Sequence, residues 1–470
     1  MTHSIACQAW ASREFEKTET GDARRTARVV KMAAQAAARP GGKLTQVFSE
    51  PAERQAAYKL LEKGHVQQQA LARAAAAAAW KRVRGEKLAL VAVDGCTLTL
   101  PAAQVGDGKG YGPVGTAGVK AAGVEATNAV LVSLKGSVVQ GVVGQALWAR
   151  PQQPCKLTES AKRARPLEEK ETRWWLQVLQ SATEGWRASG VKTRPWYQLD
   201  AGADAREVLE WAAWVDGPYV TVRCAQNRRL EWPQDELLWP TLEGLESKGL
   251  MRLRVPASAK RQGRKALLQL RFSPVVVRLR NASSGQVLPV ELFAVHALEA
   301  GTCPKGEEPI EWMLLTNRPV HGLKGARQVL RAYACRWRVE EVHRTWKSGC
   351  RVEDSGLHYE PFSAWATLLF CVAVRIERLK RLARQAPELP ASSEFTPEEL
   401  AALLLLKRKS HLYPKGGSPT LADAVLWVAE LGGYTGKSSG GPPGSITLKR
   451  GLDRLAPAAE VLRFQAELKK

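Results

Sequence analysis

The spacing of apolar residues predicts helices at both ends of the chain and a mixed α/β region between them. Gly21–Ala38 has helical periodicity and opens with Asp22, a suitable N-cap, and Pro51–Lys63 continues the helical pattern. The alanine-rich run Ala70–Ala79 has high helix propensity and suggests a connector. A Pro- and Ser-rich stretch at 385–396 indicates a boundary before a helical C-terminal segment.

Two apolar runs in the middle of the chain predict buried strands that end in carboxylates. Leu88–Val93 stops at Asp94, and a strand over 197–199 stops at Asp200. A single carboxylate at a strand end is most often a cap or turn residue. Several that converge would suit a divalent cation, because hard cations such as Mg²⁺ prefer oxygen ligands.

The pattern changes between about 226 and 315. Apolar and polar residues alternate there, most clearly in Arg264–Asn281, and this predicts an antiparallel β insertion. Helical periodicity returns over Leu323–Ser348 and again over Ser363–Ala383.

Charge indicates the class of partner. The 470 residues include 69 Lys and Arg against 46 Asp and Glu, a net charge of +23, which favours a polyanion such as nucleic acid. No apolar run is long enough for a transmembrane helix, and the first residues lack the apolar stretch of a signal peptide, so we expect a cytoplasmic protein. The eight cysteines form no CxxC pair, so no zinc site is expected.

The helical segment Leu323–Ser348 carries the most informative set of residues. At about 100° per residue, Tyr333, Arg336, Glu340 and Lys347 fall on one narrow face of a helix. An Arg–Glu pair at this spacing is commonly a surface ion pair worth a few tenths of a kcal/mol. That reading leaves the tyrosine and lysine unexplained, whereas a metal-binding carboxylate flanked by phosphate-binding cations explains all four.

Glu341 falls at about 140° from Arg336 on the same helical projection. Glu340, at about 40°, is therefore the carboxylate expected to share the face with Arg336 and Lys347.

This spacing, Tyr-x2-Arg-x3-Glu-x6-Lys, resembles the YREK signature of DDE transposases from bacterial insertion sequences. The chain is similar to the insertion-sequence-four group over nearly its whole length. The blocks that carry the resemblance, in family order, are GDARRTARVV (21–30), WARPQQP (148–154), EWMLLTNRPV (311–320), YACRWRVEEVHRTWKSG (333–349) and AELGGY (429–434).

The resemblance implies an α/β protein with an RNase H-like catalytic core and a β-strand insertion, flanked by helical N- and C-terminal domains. Residues 1–72 would bind transposon ends, 73–385 would form the catalytic domain with its insertion at about 226–315, and 386–470 would mediate dimerisation.

The resemblance also implies roles for particular residues. Asp94, Asp200 and Glu340 would be the catalytic residues and would bind two Mg²⁺ ions, for which Mn²⁺ substitutes. Trp312 would stack on a flipped base, unless it is simply a core tryptophan. The other expected DNA contacts are Tyr333, Arg336, Trp337 and Lys347 near the catalytic carboxylates, and Arg24, Arg25, Arg28 and Lys59 in the N-terminal domain; Arg28 and Lys59 are equally compatible with ordinary surface charge.

The first catalytic aspartate can be aligned in two ways. Matching the apolar strand residue by residue places Gly95 on that position, whereas matching Thr97 and Leu98 places Asp94 there. We choose Asp94, because no other acidic residue lies nearby before Asp107.

The function implied is cut-and-paste transposition. Such an enzyme binds the inverted-repeat ends of its element as a homodimer, excises the element through a hairpin intermediate, and joins its 3′ ends to target DNA, at the bacterial nucleoid. Gly95 favours an alternative, an inactive descendant that binds and synapses DNA. A stand-alone RNase H-like nuclease is the other alternative, but the N-terminal and C-terminal blocks argue against it.

Overall fold

The structure is a computed structural model that describes residues 5–101, 110–115, 121–151, 158, 161, 165–233, 235–255, 262–301, 303–408, 419–436 and 441–468. Within these ranges, no helix is both long enough and apolar enough to cross a membrane. The block WARPQQP is described only in part, since its residues 152–154 lie outside these ranges.

Helices form the N-terminal region. They are α1 (Ile5–Phe15), α2 (Ala23–Ala38), α3 (Leu44–Val47), α4 (Pro51–Glu62) and α5 (Gln68–Arg82). The predicted cap of α2 is confirmed, because the Asp22 carboxylate accepts a hydrogen bond from the backbone N–H of Arg24 at 2.7 Å.

The alanine-rich run is part of α5 and is not a connector. Ala75, Ala79 and Trp80 are fully buried, and α5 packs against the strand that contains Gly141. A Cβ at Gly141 would lie 2.3 Å from the Ala79 Cβ, so small side chains allow this close approach. The expected domain boundary between residues 72 and 73 therefore lies inside a buried helix.

A mixed sheet forms the core. Its first strands are β1 (Leu88–Leu100), β2 (Gly112–Val114), β3 (Ala121–Ser133), β4 (Val139–Trp148), β5 (Arg194–Leu199) and β6 (Tyr219–Arg223). β3 lies antiparallel between β1 and β4, whereas β5 and β6 run parallel to β1 on its other side. Helices α6 (Thr172–Ser189) and α7 (Arg206–Trp214) flank it. This arrangement is consistent with the expected RNase H-like core.

The β insertion extends the same sheet. Its elements are β7 (Leu230–Trp232), α8 (Leu238–Glu243), β8 (Gly249–Val255), β9 (Arg264–Arg280), β10 (Val287–Glu299) and β11 (Glu311–Thr316). β11 pairs antiparallel with β6, so the sheet is continuous from the core through β10 to β9. The predicted antiparallel insertion is confirmed as secondary structure, but it is not a separate sheet.

Strand β1 is longer than predicted. The apolar run ends at Asp94, yet the strand continues to Leu100 because β3 remains paired with it, from Asn128 opposite Asp94 to Ala122 opposite Leu100. Asp94 is thus a mid-strand residue, although its pairing with β5 ends just before it.

The long helix predicted over Leu323–Ser348 is wrong as a single element. The structure has α9 (Leu323–Ala334), α10 (Trp337–Arg344) and a π-helical turn over Thr345–Gly349, which we call the π turn. The break arises where the N–H groups of Cys335 and Arg336 bond to carbonyls only three residues earlier, which tightens the chain into a turn.

The C-terminal region is helical, as predicted. It contains α11 (Tyr359–Gln385), α12 (Pro397–Leu406), α13 (Leu421–Leu431) and α14 (Ser445–Leu468). Most of α11 is buried at the centre of the region, and a Thr396–Glu399 capping box begins α12.

Candidate active site

Asp94 and Asp200 lie side by side at the edge where β5 ends. Val93 and Leu199 are the last paired residues of the parallel β1–β5 ladder, and the two aspartates follow them. Asp94 is buried, whereas Asp200 is partly exposed and accepts a hydrogen bond from the N–H of Gly202 at 2.9 Å. The sheet thus brings two residues 106 positions apart to one place.

Arg336 joins Asp94 to Glu340. Its guanidinium donates to Asp94 Oδ2 at 2.5 Å and to Glu340 Oε1 at 2.7 Å. Arg336 is itself buried, so these charge-assisted bonds form in a region of low dielectric. Arg336 therefore links two of the three carboxylates expected from sequence, and Asp200 lies beside Asp94.

The carboxylates repel one another electrostatically. Burial raises the pKa of Asp94 to about 7; Arg336 opposes this, while the charges of Asp200 and Glu340 add to it. Burial also opposes the charge of Arg336, but Asp94, Tyr333 and Glu340 more than offset burial and raise the pKa of Arg336. The site contains more negative charge than one arginine neutralises.

Gly95 faces the opposite side of the sheet. Neighbouring residues of a strand alternate between faces, and a Cβ at Gly95 would point toward Trp175 of α6, 3.6 Å from its ring. Position 95 is therefore poorly placed to supply a carboxylate to the Arg336–Glu340 side. Gly95 does not turn the backbone away either, because β1 continues through it.

Lys347 contacts β1, the strand that contains Asp94, but it does so from the π turn and not from the predicted helix face. It lies in the π turn, not on α10, and its ammonium donates to the carbonyl oxygen of Thr97 at 2.9 Å. It also forms an ion pair with Glu353 at 3.2 Å. Lys347 thus borders β1 three residues beyond Asp94 and makes no direct bond to Arg336 or Glu340.

Aromatic side chains line the other side of Arg336. The buried Tyr333 ring packs edge-on against the half-buried Trp312 ring, with centroids 5.0 Å apart. The guanidinium of Arg336 lies 5.9 Å from the Tyr333 ring and 5.8 Å from the ring of Trp337, which is 44% exposed. Trp312 is therefore neither a fully buried core residue nor remote from the carboxylates.

Glu341 belongs to a different set of contacts. Its carboxylate accepts hydrogen bonds from Arg338 at 2.8 Å and from Arg381 of α11 at 2.7 Å. It faces the C-terminal helices rather than Asp94, as the helical projection predicts.

The basic residues of the N-terminal helices differ in their freedom to bind DNA. Lys59 is exposed on α4, and Arg24 is exposed beside Asp22 at the start of α2. Arg25 is half-buried and lies 3.5 Å from the carbonyl oxygen of Thr20. Arg28 is already engaged, because it forms a 2.7 Å ion pair with buried Glu53.

A buried polar network between α10, β3, β4 and α11 is not predicted from the sequence. His343 is 3.0 Å from Asn128, the residue that pairs with Asp94 across β1 and β3. Gln145 donates to Asn128 at 2.7 Å, and Thr367 of α11 donates to Gln145 at 2.5 Å. His343 and Asn128 are 215 positions apart, so no local pattern could reveal the pair.

The donor set fits a hard divalent cation. Asp94, Asp200 and Glu340 offer carboxylate oxygens, and a bound cation would offset both the burial and the carboxylate repulsion that raise the pKa of Asp94. As the side chains lie, Arg336 bridges Asp94 and Glu340, and the described residues form no cluster of three metal-ligating groups. Cation binding would therefore require the arginine to move.

Two comparisons with known families match the ends of the chain. Residues 7–66 match the family described as Transposase DNA-binding, and residues 371–469 match the Transposase Tn5 dimerisation domain. Neither match includes Asp94, Asp200 or Glu340. Together they support a transposase, an enzyme that cuts and joins DNA, which binds DNA and dimerises.

Proposed function

We propose that this chain is a cut-and-paste DDE transposase of the insertion-sequence-four group, with Asp94, Asp200 and Glu340 as its catalytic carboxylates. The observation that carries the proposal is the hydrogen-bonded link from Asp94 through Arg336 to Glu340, beside Asp200. The DNA-binding and dimerisation matches on either side give this site its substrate class.

The three carboxylates would hold two Mg²⁺ ions, or Mn²⁺ in their place. When bound, such ions activate the attacking oxygen and stabilise the leaving oxygen of a phosphoryl transfer. Asp94 contributes its ionised form, which cation binding favours over the proton that burial favours.

The cationic and aromatic side chains orient the DNA. Arg336, once released from the carboxylates, and Lys347 would hold phosphates in line with the attacking oxygen. Tyr333 and Trp337 flank the Arg336 guanidinium and limit its positions. Trp312, half-exposed beside Tyr333, would stack on a base displaced from the duplex.

The reaction sequence consists of successive phosphodiester exchanges. Water first attacks the phosphorus at the transposon end, and the bond to the 3′ oxygen breaks to leave a 3′-OH. That hydroxyl attacks the opposite strand to form a hairpin and release the flanking DNA. A second water opens the hairpin, and the regenerated 3′-OH attacks target DNA. Each protomer of the dimer would act mainly on the end bound by its partner.

The test uses a duplex carrying the inverted repeats that flank the gene. Asp94→Asn and Asp200→Asn should still bind this duplex, while nicking falls by about two orders of magnitude or more in both Mg²⁺ and Mn²⁺. Mn²⁺ binding, followed by electron paramagnetic resonance, should weaken in the same variants. Glu341→Gln is the control and should cut.

A double variant distinguishes the two alignments of the first aspartate. Adding Gly95→Asp to Asp94→Asn should not restore nicking, because position 95 faces Trp175. Restored nicking would assign the first ligand to position 95. Binding without any nicking by the unmodified protein would favour the inactive descendant instead.

A further inference from the structure

The segment that carries Glu340 and Lys347 is held by side-chain hydrogen bonds to β3 and α11. Besides the His343–Asn128 contact, the buried Trp346 indole donates to the carbonyl oxygen of Ala366 on α11 at 3.0 Å. The Thr345 hydroxyl donates to Glu377 of the same helix at 2.6 Å. The π turn is therefore hydrogen-bonded to α11 through Thr345 and Trp346, and to β1 through Lys347.

Glu377 has the most partners among the α11 residues that contact the π turn. Its side chain is fully buried in a long helix and is bonded by groups from three elements. Thr345 and Ser445, the first residue of α14, both donate to its Oε1, and Lys380 forms an ion pair with its Oε2. Lys380 also donates to the Ser445 hydroxyl at 2.9 Å, which closes the set.

This arrangement connects two parts of the molecule with different expected roles. Glu377, Lys380 and Ser445 lie within the span that matches a dimerisation domain, whereas Thr345 lies outside it, between Glu340 and Lys347. The buried carboxylate of Glu377 accepts hydrogen bonds from Thr345 and from Ser445. Losing either donor should lower stability, because the oxygen lone pair left without a partner is shielded from water.

We propose that Glu377 is a positioning residue that couples the seating of α14 to the geometry of the π turn, and through it to Glu340 and Lys347. The inference rests on the proposed function for its catalytic consequence. When α14 is seated, Ser445 and Thr345 share one carboxylate oxygen and the π turn is held in a single arrangement. When α14 moves, the π turn loses part of its support, so a change at the dimerisation region reaches the catalytic carboxylates.

The first test measures amide hydrogen exchange in the full-length protein without DNA, so that it does not depend on catalysis. Ser445→Ala removes one hydroxyl from Glu377 and leaves the π turn sequence unchanged. Exchange of the amides over 346–350 should rise about tenfold or more, because a hydrogen bond to a buried charge is lost. Thr183→Val is the matched control, since it removes a buried hydroxyl from α6 that bonds to Leu179 and Tyr197 instead.

The second test measures nicking and end binding with Ser445→Ala and Thr345→Val. Each variant should nick at least several-fold more slowly with unchanged end affinity. The double variant should be no slower than the slower of the two single variants, because both substitutions act through Glu377. Thr345→Ser, which restores the hydroxyl, should recover the rate.

The outcomes separate the coupling from the proposed function. Unchanged exchange over 346–350 in Ser445→Ala would overturn the coupling, whatever the protein does to DNA. Fully multiplicative effects on nicking would also overturn it. Raised exchange in a protein that never nicks its own ends would refute the proposed function and leave the coupling intact.

Discussion

At the scale of single residues, two adjacent glutamates have opposite surroundings. Glu340 is bonded to Arg336 on the Asp94 side, whereas Glu341 is bonded to Arg338 and Arg381. Glu340→Gln should retain end binding and lose nicking by about two orders of magnitude or more. Glu341→Gln should keep nicking and lower the free energy of unfolding by about 1 to 3 kcal/mol. The reverse pattern in nicking and urea unfolding assays would refute the assignment.

His343 gives a prediction about pH. Burial, with help from the charges of Lys347 and Arg336, lowers its pKa to about 3 in the folded protein. The unfolded chain takes up a proton below about pH 6.5. Between these values the unfolded state binds more protons, so stability falls as pH falls through this window.

The effect of His343 can be isolated by substitution. His343→Gln retains a partner for Asn128 and removes the titration, so the unfolding free energy should fall by about 2 kcal/mol less than in the unmodified protein between pH 7 and pH 5. Urea unfolding at both pH values checks this. Identical pH dependence in the two proteins would mean that His343 has the same pKa in the folded and unfolded states, and would contradict the lowered value.

The sequence predicts much of the site at this scale and misses its connections. Asp94 and Asp200 stand out because each follows an apolar strand, and Glu340 is separated from Glu341 by helical spacing alone. The choice between Asp94 and Gly95 depends on which face of β1 each residue occupies, which becomes visible only once the strand is paired. His343 and Asn128 meet through tertiary packing, and no local rule encodes that contact.

At the scale of elements, the helix over 323–348 shows where periodicity fails. The projection places Arg336 and Glu340 on one face, and the structure does bond them, although α9, α10 and the π turn are separate elements, because the two residues still lie four positions apart across the start of α10. Lys347 lies beyond the change to π geometry, so its contact with Thr97 could not be derived from an ideal helix.

Close packing between α13 and α14 gives a prediction at the same scale. A Cβ at Gly451 would lie 1.8 Å from the backbone oxygen of Val428, and one at Gly432 would lie 1.9 Å from that of Thr447. Gly451→Ala should therefore force the two helices apart and lower the free energy of unfolding by about 1 to 3 kcal/mol. Gly444→Ala is the control, because nothing lies within 4 Å of its Cβ position. Equal unfolding midpoints in urea for both variants would contradict the packing.

At the scale of the whole molecule, the net charge of +23 predicts DNA binding that is sensitive to salt. The slope of log K against log salt should be steeply negative, and Lys59→Ala should flatten it by about one if Lys59 contacts a phosphate. Lys192 is exposed two residues before β5, at the opposite end of that strand from Asp200, so Lys192→Ala should leave the slope unchanged. A slope near zero in the unmodified protein would exclude an electrostatic interface.

The buried helix α5 limits how this molecule could be retargeted. Exchanging the DNA-recognition region for another is an obvious engineering route, and a junction at residue 72 would look natural from composition. That junction would divide α5 and place foreign residues in the same helix as the fully buried Ala75, Ala79 and Trp80, of which Ala79 packs closely on Gly141. A chimaera should instead retain α5 as native sequence and exchange only what precedes Gln68. The DNA-recognition region can therefore be exchanged only up to Gln68, where α5 begins to pack on the sheet.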